Sequence, residues 1–139
     1  MSLDPATMRP APTGARFDAV YGPAAGGRQV RARLQHPDPP PGAAASEWTL
    51  RAGDFDVLGH VNNAVTWGLL DEEVERRLPG HRVASAEVEY REPIPGGRAV
   101  TVLVTGGEGM LRLWALTDGG TLACTALARV EPGAPPHRR

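Results

Sequence analysis

A chain of 139 residues with a formal net charge of −1 has room for one domain core and carries no basic field that would recruit nucleic acid. Its single cysteine, Cys124, excludes a disulfide framework and a cysteine metal cluster and suits a reducing, cytoplasmic compartment. The sequence has neither an apolar signal core nor a run of membrane-spanning length, so no membrane partner is expected.

Residues 1–15, rich in Pro, Ala and Thr, predict a disordered N-terminal segment. Residues 16–46 read as linker. RFDAVYG (16–22) has enough apolar side chains for one docked turn of helix. RQVRARL (28–34) alternates Val30, Ala32 and Leu34 against arginines, a weak edge-strand pattern, and HPDPPPGAAAS (36–46) is stiffened by prolines that no central strand accepts. A single domain is predicted over 47–131, with 132–139 as a flexible tail.

Within that domain, EWTLRAGDF (47–55) sets Trp48, Leu50 and Ala52 on one face of a first strand. From Asn63 to Leu78 the residues Ala64, Trp67, Leu70, Val74 and Leu78 recur at helical spacing. Glu72–Arg76 and Glu73–Arg77 stand at i,i+4 in the favoured order, and Pro79-Gly80 stops the helix. Gly68 inside it costs roughly 1 kcal/mol against Ala, which points to close packing on a strand.

Four strands follow. VASAEVEYRE puts Ala84, Ala86, Val88 and Tyr90 opposite Ser85, Glu87, Glu89 and Arg91; RAVTVLV presents Val100, Val102 and Val104. MLRLWALT and TLACTALARV are joined by Asp118-Gly119-Gly120, a tight hairpin signal, and carry apolar residues on both faces in places. One amphipathic helix fills the face of such a sheet only if the sheet curls around it. The predicted class is therefore α+β with a hot-dog fold, a curled antiparallel sheet of about five strands around one central helix. Its open edge invites a second copy, so a homodimer or a dimer of dimers is expected.

The stretch GDFDVLGHVNNAVTWG (53–68) differs from the rest, gathering Asp54, Asp56, His60, Asn62 and Asn63 at the strand-to-helix junction. Short polar side chains there either cap the helix or handle a reacting group. Asn62 or Asn63 reads as the N-cap, Asp54 as a turn residue, and Gly59 as a point of tight backbone approach. Cys124 sits in an alternating strand with no neighbouring base and reads as core; His81 and Arg82 read as solvated.

DFDVLGHVNNAVTW, with Glu72 on the helix and VEYREPI later, resembles the hot-dog thioesterases, above all the C-terminal hot-dog half of acyl-ACP thioesterases. Asp54, Asp56, His60, Val61, Asn62, Asn63, Glu72, Glu89, Tyr90 and Arg91 match that family's pattern over roughly residues 14–131. Thr66 stands where the family usually has tyrosine, Leu58 where some members have asparagine, and Pro93-Ile94 where they have Glu-Cys.

The resemblance implies hydrolysis of an acyl-CoA or acyl-ACP thioester, in fatty acid metabolism, with neither cofactor nor metal. It implies Asp56 as base or nucleophile, His60 as an orienting group and Glu72 as a competing helix carboxylate. Asn62, Asn63, Ala64 and Thr66 would lie against the substrate. The chemistry fits, because thioester hydrolysis needs a base for water or a carboxylate nucleophile, and backbone N–H groups at a helix start supply oxyanion donors.

Two other classes share parts of this pattern. A hot-dog hydratase expects Asp and His five apart, whereas Asp54 and Asp56 lie six and four residues before His60, and no Asn-Pro occurs in the loop. A non-catalytic acyl-thioester binding or dimerisation module is the alternative, since one hot-dog is present where the family has two.

Overall fold

The computed structural model describes residues 2–4, 10–26 and 35–133, in two compact units, 1–33 and 34–139. The edge-strand expectation for 28–34 lies outside the described residues.

In the first unit β1 (Ser2–Leu3) pairs antiparallel with β2 (Pro10–Ala11). Residues 16–22, expected as one turn, belong to an eleven-residue helix, α1 (Ala15–Ala25), which Gly26 closes in the left-handed region at φ 57°. Phe17 and Tyr21, one turn apart, stack with ring centroids 4.6 Å apart.

The second unit holds β3 (Ala44–Trp48), a 3-10 turn (Ala52–Asp54), α2 (Asn63–Arg77), β4 (His81–Tyr90), β5 (Val100–Gly107), β6 (Met110–Thr117) and β7 (Leu122–Pro132). The five strands form one antiparallel sheet in the order β3-β5-β6-β7-β4. This is the hot-dog arrangement. β3 begins and ends earlier than expected: Ala44 pairs with Val104 and Trp48 with Val100, and the chain then turns at 52–54. Both edges, β3 and β4, are unpaired on their outer sides among the described residues.

α2 lies on one face of the sheet. Leu69, Leu70 and Val74 pack with Val102, Val104, Leu111, Leu113, Ala126, Ala128 and Val130. A second cluster, Val61, Ile94, Val100, Ala115, Ala123 and Cys124, underlies the loop that leads into α2.

The helix is rotated about one residue from the expected register. Its buried stripe is Thr66, Leu69, Leu70, Glu73 and Val74, while Trp67, expected in the core, is 43% exposed. Burial of the Glu73 carboxylate requires charge partners, and both Arg76 and Arg77 bind it. Arg76 is thereby drawn to Glu73 instead of the expected Glu72. Gly68 is exposed, and a Cβ built on it meets nothing within 4 Å, so among the described residues it does not serve close packing on a strand.

The opposite face is covered too, by a short strap, residues 35–38. In one row across the sheet stand Glu89, Thr125 and Trp114. Trp114 donates its indole N–H to the Pro37 carbonyl at 2.7 Å, the His36 Nδ1 lies 2.9 Å from Thr125 Oγ1, and Glu89 accepts the backbone N–H groups of Gln35 and His36. A proline-containing strap suits this position, since its carbonyls need donors and the sheet side chains supply them.

Candidate active site

Between β3 and α2 the chain folds back on itself. Asp54 ends the 3-10 turn and accepts the Arg51 N–H on Oδ2 at 2.7 Å, while its carbonyl accepts the Asn62 N–H at 2.8 Å. Phe55 bridges Val61, and the Asp56 N–H donates to the His60 carbonyl at 2.8 Å. The Asp56 carboxylate closes the loop from inside: Oδ1 accepts the N–H groups of Leu58 at 2.9 Å and His60 at 3.1 Å, the side-chain turn for which aspartate is suited. Gly59, at φ 75°, provides the left-handed residue that brings the chain back to His60.

The loop is fixed to its neighbour by Val61 N–H to Ile94 carbonyl, 2.9 Å, and Gly96 N–H to Gly59 carbonyl, 3.0 Å. Its tip points outward. Val57 is fully exposed and Leu58 is mostly so. The His60 ring, half-buried, has no hydrogen-bond partner among the described residues.

Asn62 is the N-cap of α2; its side chain accepts the Ala64 N–H at 2.9 Å. The donors of a helix start are normally orphans, and here most are spent. The Asn62 N–H goes to Asp54, Ala64 to the Asn62 side chain, and Val65 to the Asn62 carbonyl at 2.9 Å. Among the described residues the Asn63 N–H has no such partner. The carbonyl of Asn63 accepts the Tyr90 hydroxyl at 2.8 Å.

Beneath this turn lies Thr66, 2% exposed, facing the Tyr90 hydroxyl and the Cys124 thiol. Burial pushes the Cys124 thiol up to about 11 and raises the Tyr90 phenol as well, so both stay protonated near neutrality. Glu72 is exposed and stands two turns further along α2. With Asp54, Trp48, Val65 and Gly68 it lines a groove of about 410 Å³ between α2 and β3. Asp56 and His60 are not part of that groove. Among the described residues no cluster of His, Cys, Asp and Glu could hold a metal ion.

The model of the acyl-ACP thioesterase C-terminal domain matches residues 40–130, from the linker prolines into the last residues of β7. The chain belongs to this thioesterase family. Among solved structures it is similar to a thioesterase from Thermus thermophilus, complexed with coenzyme A and Zn, at 31% identity, covering 68% of this chain and 81% of that one with a TM-score of 0.50. It shares a fold with the 12:0-ACP thioesterase from Umbellularia californica, at 20% identity and a TM-score of 0.66, over 94% of this chain but 53% of that one. It also shares a fold with the probable thioesterase YbaW from Escherichia coli, at 20% identity and a TM-score of 0.53, over 62% of this chain and 79% of that one. Among curated proteins no sequence match is found.

The thioesterase pattern thus gathers Asp56, His60, Asn62, Asn63 and Ala64 into one hydrogen-bonded loop and helix start. Glu72 stands apart on the helix surface and Thr66 is turned inward. Tyr90 supports the helix start, a role that residue type alone did not mark, although its place in the matched Glu-Tyr-Arg segment was a signal. That Asp54 and Glu72 share one groove had no signal in their spacing.

Proposed function

We propose that the chain hydrolyses an acyl thioester of coenzyme A or of acyl carrier protein, releasing free acid and thiol. Asp56 acts as base for water or as nucleophile through Oδ2, because Oδ1 is held by two backbone N–H groups. The thioester oxygen, as it gains charge, is received at the start of α2 by the unspent Asn63 N–H, aided by the helix dipole. His60 orients the reacting group, and the side chains of Asn62 and Asn63 edge the substrate. The observation that carries this reading is the pairing of an exposed, clasped carboxylate with a helix start where, among the described residues, the Asn63 N–H alone is left without a partner.

The working unit is a homodimer or a dimer of dimers in the cytoplasm. Its support is the unpaired outer side of β4, together with Trp67 and Tyr90 exposed beside it. Among the described residues no helix is long and apolar enough to cross a membrane. Light scattering at micromolar concentration should give a multiple of the chain mass; a clean monomer contradicts the assembly.

Release of thiol from a panel of acyl-CoA and acyl-ACP substrates tests the activity. A protein that binds these thioesters without turning them over is instead the non-catalytic binding or dimerisation module.

A further inference from the structure

The segment Glu89-Tyr90-Arg91 stands outside the reaction as described, yet its side chains are engaged on both faces of the sheet. Successive residues of a strand point to opposite faces. On one side Glu89 accepts both strap amides, from Gln35 and His36, and Arg91 Nη2 donates to the His36 carbonyl at 2.7 Å while lying 3.5 Å from Glu89 Oε2. The backbone is held as well: Tyr90 pairs with Cys124, and the Arg91 N–H donates to the Ala123 carbonyl at 2.8 Å. On the other side the Tyr90 hydroxyl reaches the carbonyl of Asn63, the residue whose N–H is left for the substrate.

Resting on the function proposed above, we propose that Tyr90 is a positioning residue for the reaction. It holds the first turn of α2 so that the Asn63 N–H keeps its direction toward the thioester oxygen. Glu89 and Arg91, clasping the strap on the far face, keep Tyr90 from shifting. A helix start frays readily because its first amides have no acceptor within the helix. A phenol that stays a donor at neutral pH and is anchored in a strand adds a hold on the first turn from outside the helix, on the second lone pair of the Asn63 carbonyl. The same peptide plane that receives the phenol joins Asn63 to Ala64, so movement of one reorients the neighbouring donors.

Tyr90→Phe removes the hydroxyl and keeps the ring. Two readouts apply. Amide hydrogen exchange at Val65, Thr66 and Trp67 should quicken roughly three- to tenfold, with exchange in β5 and β6 unchanged. The kcat for thioester hydrolysis should fall by a similar factor with KM within about twofold, since the loss is of transition-state alignment. Glu89→Gln, which weakens the strap contact, should shift both readouts in the same direction by less.

Unchanged exchange at the first turn overturns the proposal, whatever happens to kcat, because Tyr90 would then act by another route. Faster exchange with kcat at the wild-type value overturns it also. If the wild type hydrolyses no thioester, the function proposed above fails on its own account. Exchange in the Tyr90→Phe variant then still decides whether Tyr90 holds the helix start.

Discussion

Asn62 caps α2 through its side chain, which accepts the Ala64 N–H at 2.9 Å, while its own N–H is given to the Asp54 carbonyl at 2.8 Å. One residue therefore joins the loop to the helix and sets which donor remains at the helix start. Its removal should be felt in stability first.

Asn62→Ala removes an N-cap acceptor, a change that costs about 1 kcal/mol in comparable helices. The urea midpoint should fall accordingly with the slope unchanged. A midpoint equal to that of the wild type would mean that the cap contributes nothing and that the loop holds the helix start unaided.

Glu89 gives the protein a dependence on acid. Burial alone pushes its carboxyl up, but the Gln35 and His36 amides, the His36 ring and the Arg91 guanidinium outweigh burial and hold it below its ordinary 4.5. A carboxyl depressed in the folded state contributes stability that is fully present above the unfolded value and is lost as pH falls through the folded one. Stability should thus decline on acidification below about pH 4.5, the ordinary carboxylate range, and Glu89→Gln should flatten part of that decline. An identical acid limb in the variant would remove Glu89 from the account.

The alternation of Val100, Val102 and Val104, the Asp118-Gly119-Gly120 hairpin and the single helix between a first strand and four others made the hot-dog sheet legible in the sequence. Periodicity did not distinguish Trp67 from Leu69 as the core-facing residue. Both are large and apolar, and the observed rotation, which packs Leu69, Leu70 and Val74 against the sheet, also buries Glu73, a position tolerable only because two arginines bind it at once. The start of β3 at Ala44 was hidden because alanines adjoining a proline run carry no alternation. The strap over Trp114 was hidden for a related reason: apart from the His36 ring on Thr125, it is held through its own backbone carbonyls and amides, which leave no side-chain pattern. At the site, the cluster of Asp56, His60, Asn62 and Asn63 was legible from residue type alone. Which backbone donor stays unspent depends on hydrogen bonds across the folded loop.

Steady-state hydrolysis of acyl-CoA substrates by the wild type, Asp56→Asn and Glu72→Gln tests the central claim most directly. A thiol reagent can follow the product, since Cys124 is buried and its thiol is held protonated. The Asp56→Asn amide still has an oxygen to accept the Leu58 and His60 N–H groups, so the loop should keep its shape while kcat falls roughly 10²–10⁴-fold. Glu72→Gln should retain most of the activity. Turnover abolished by Glu72→Gln and intact in Asp56→Asn would place the base on the helix and contradict the assignment.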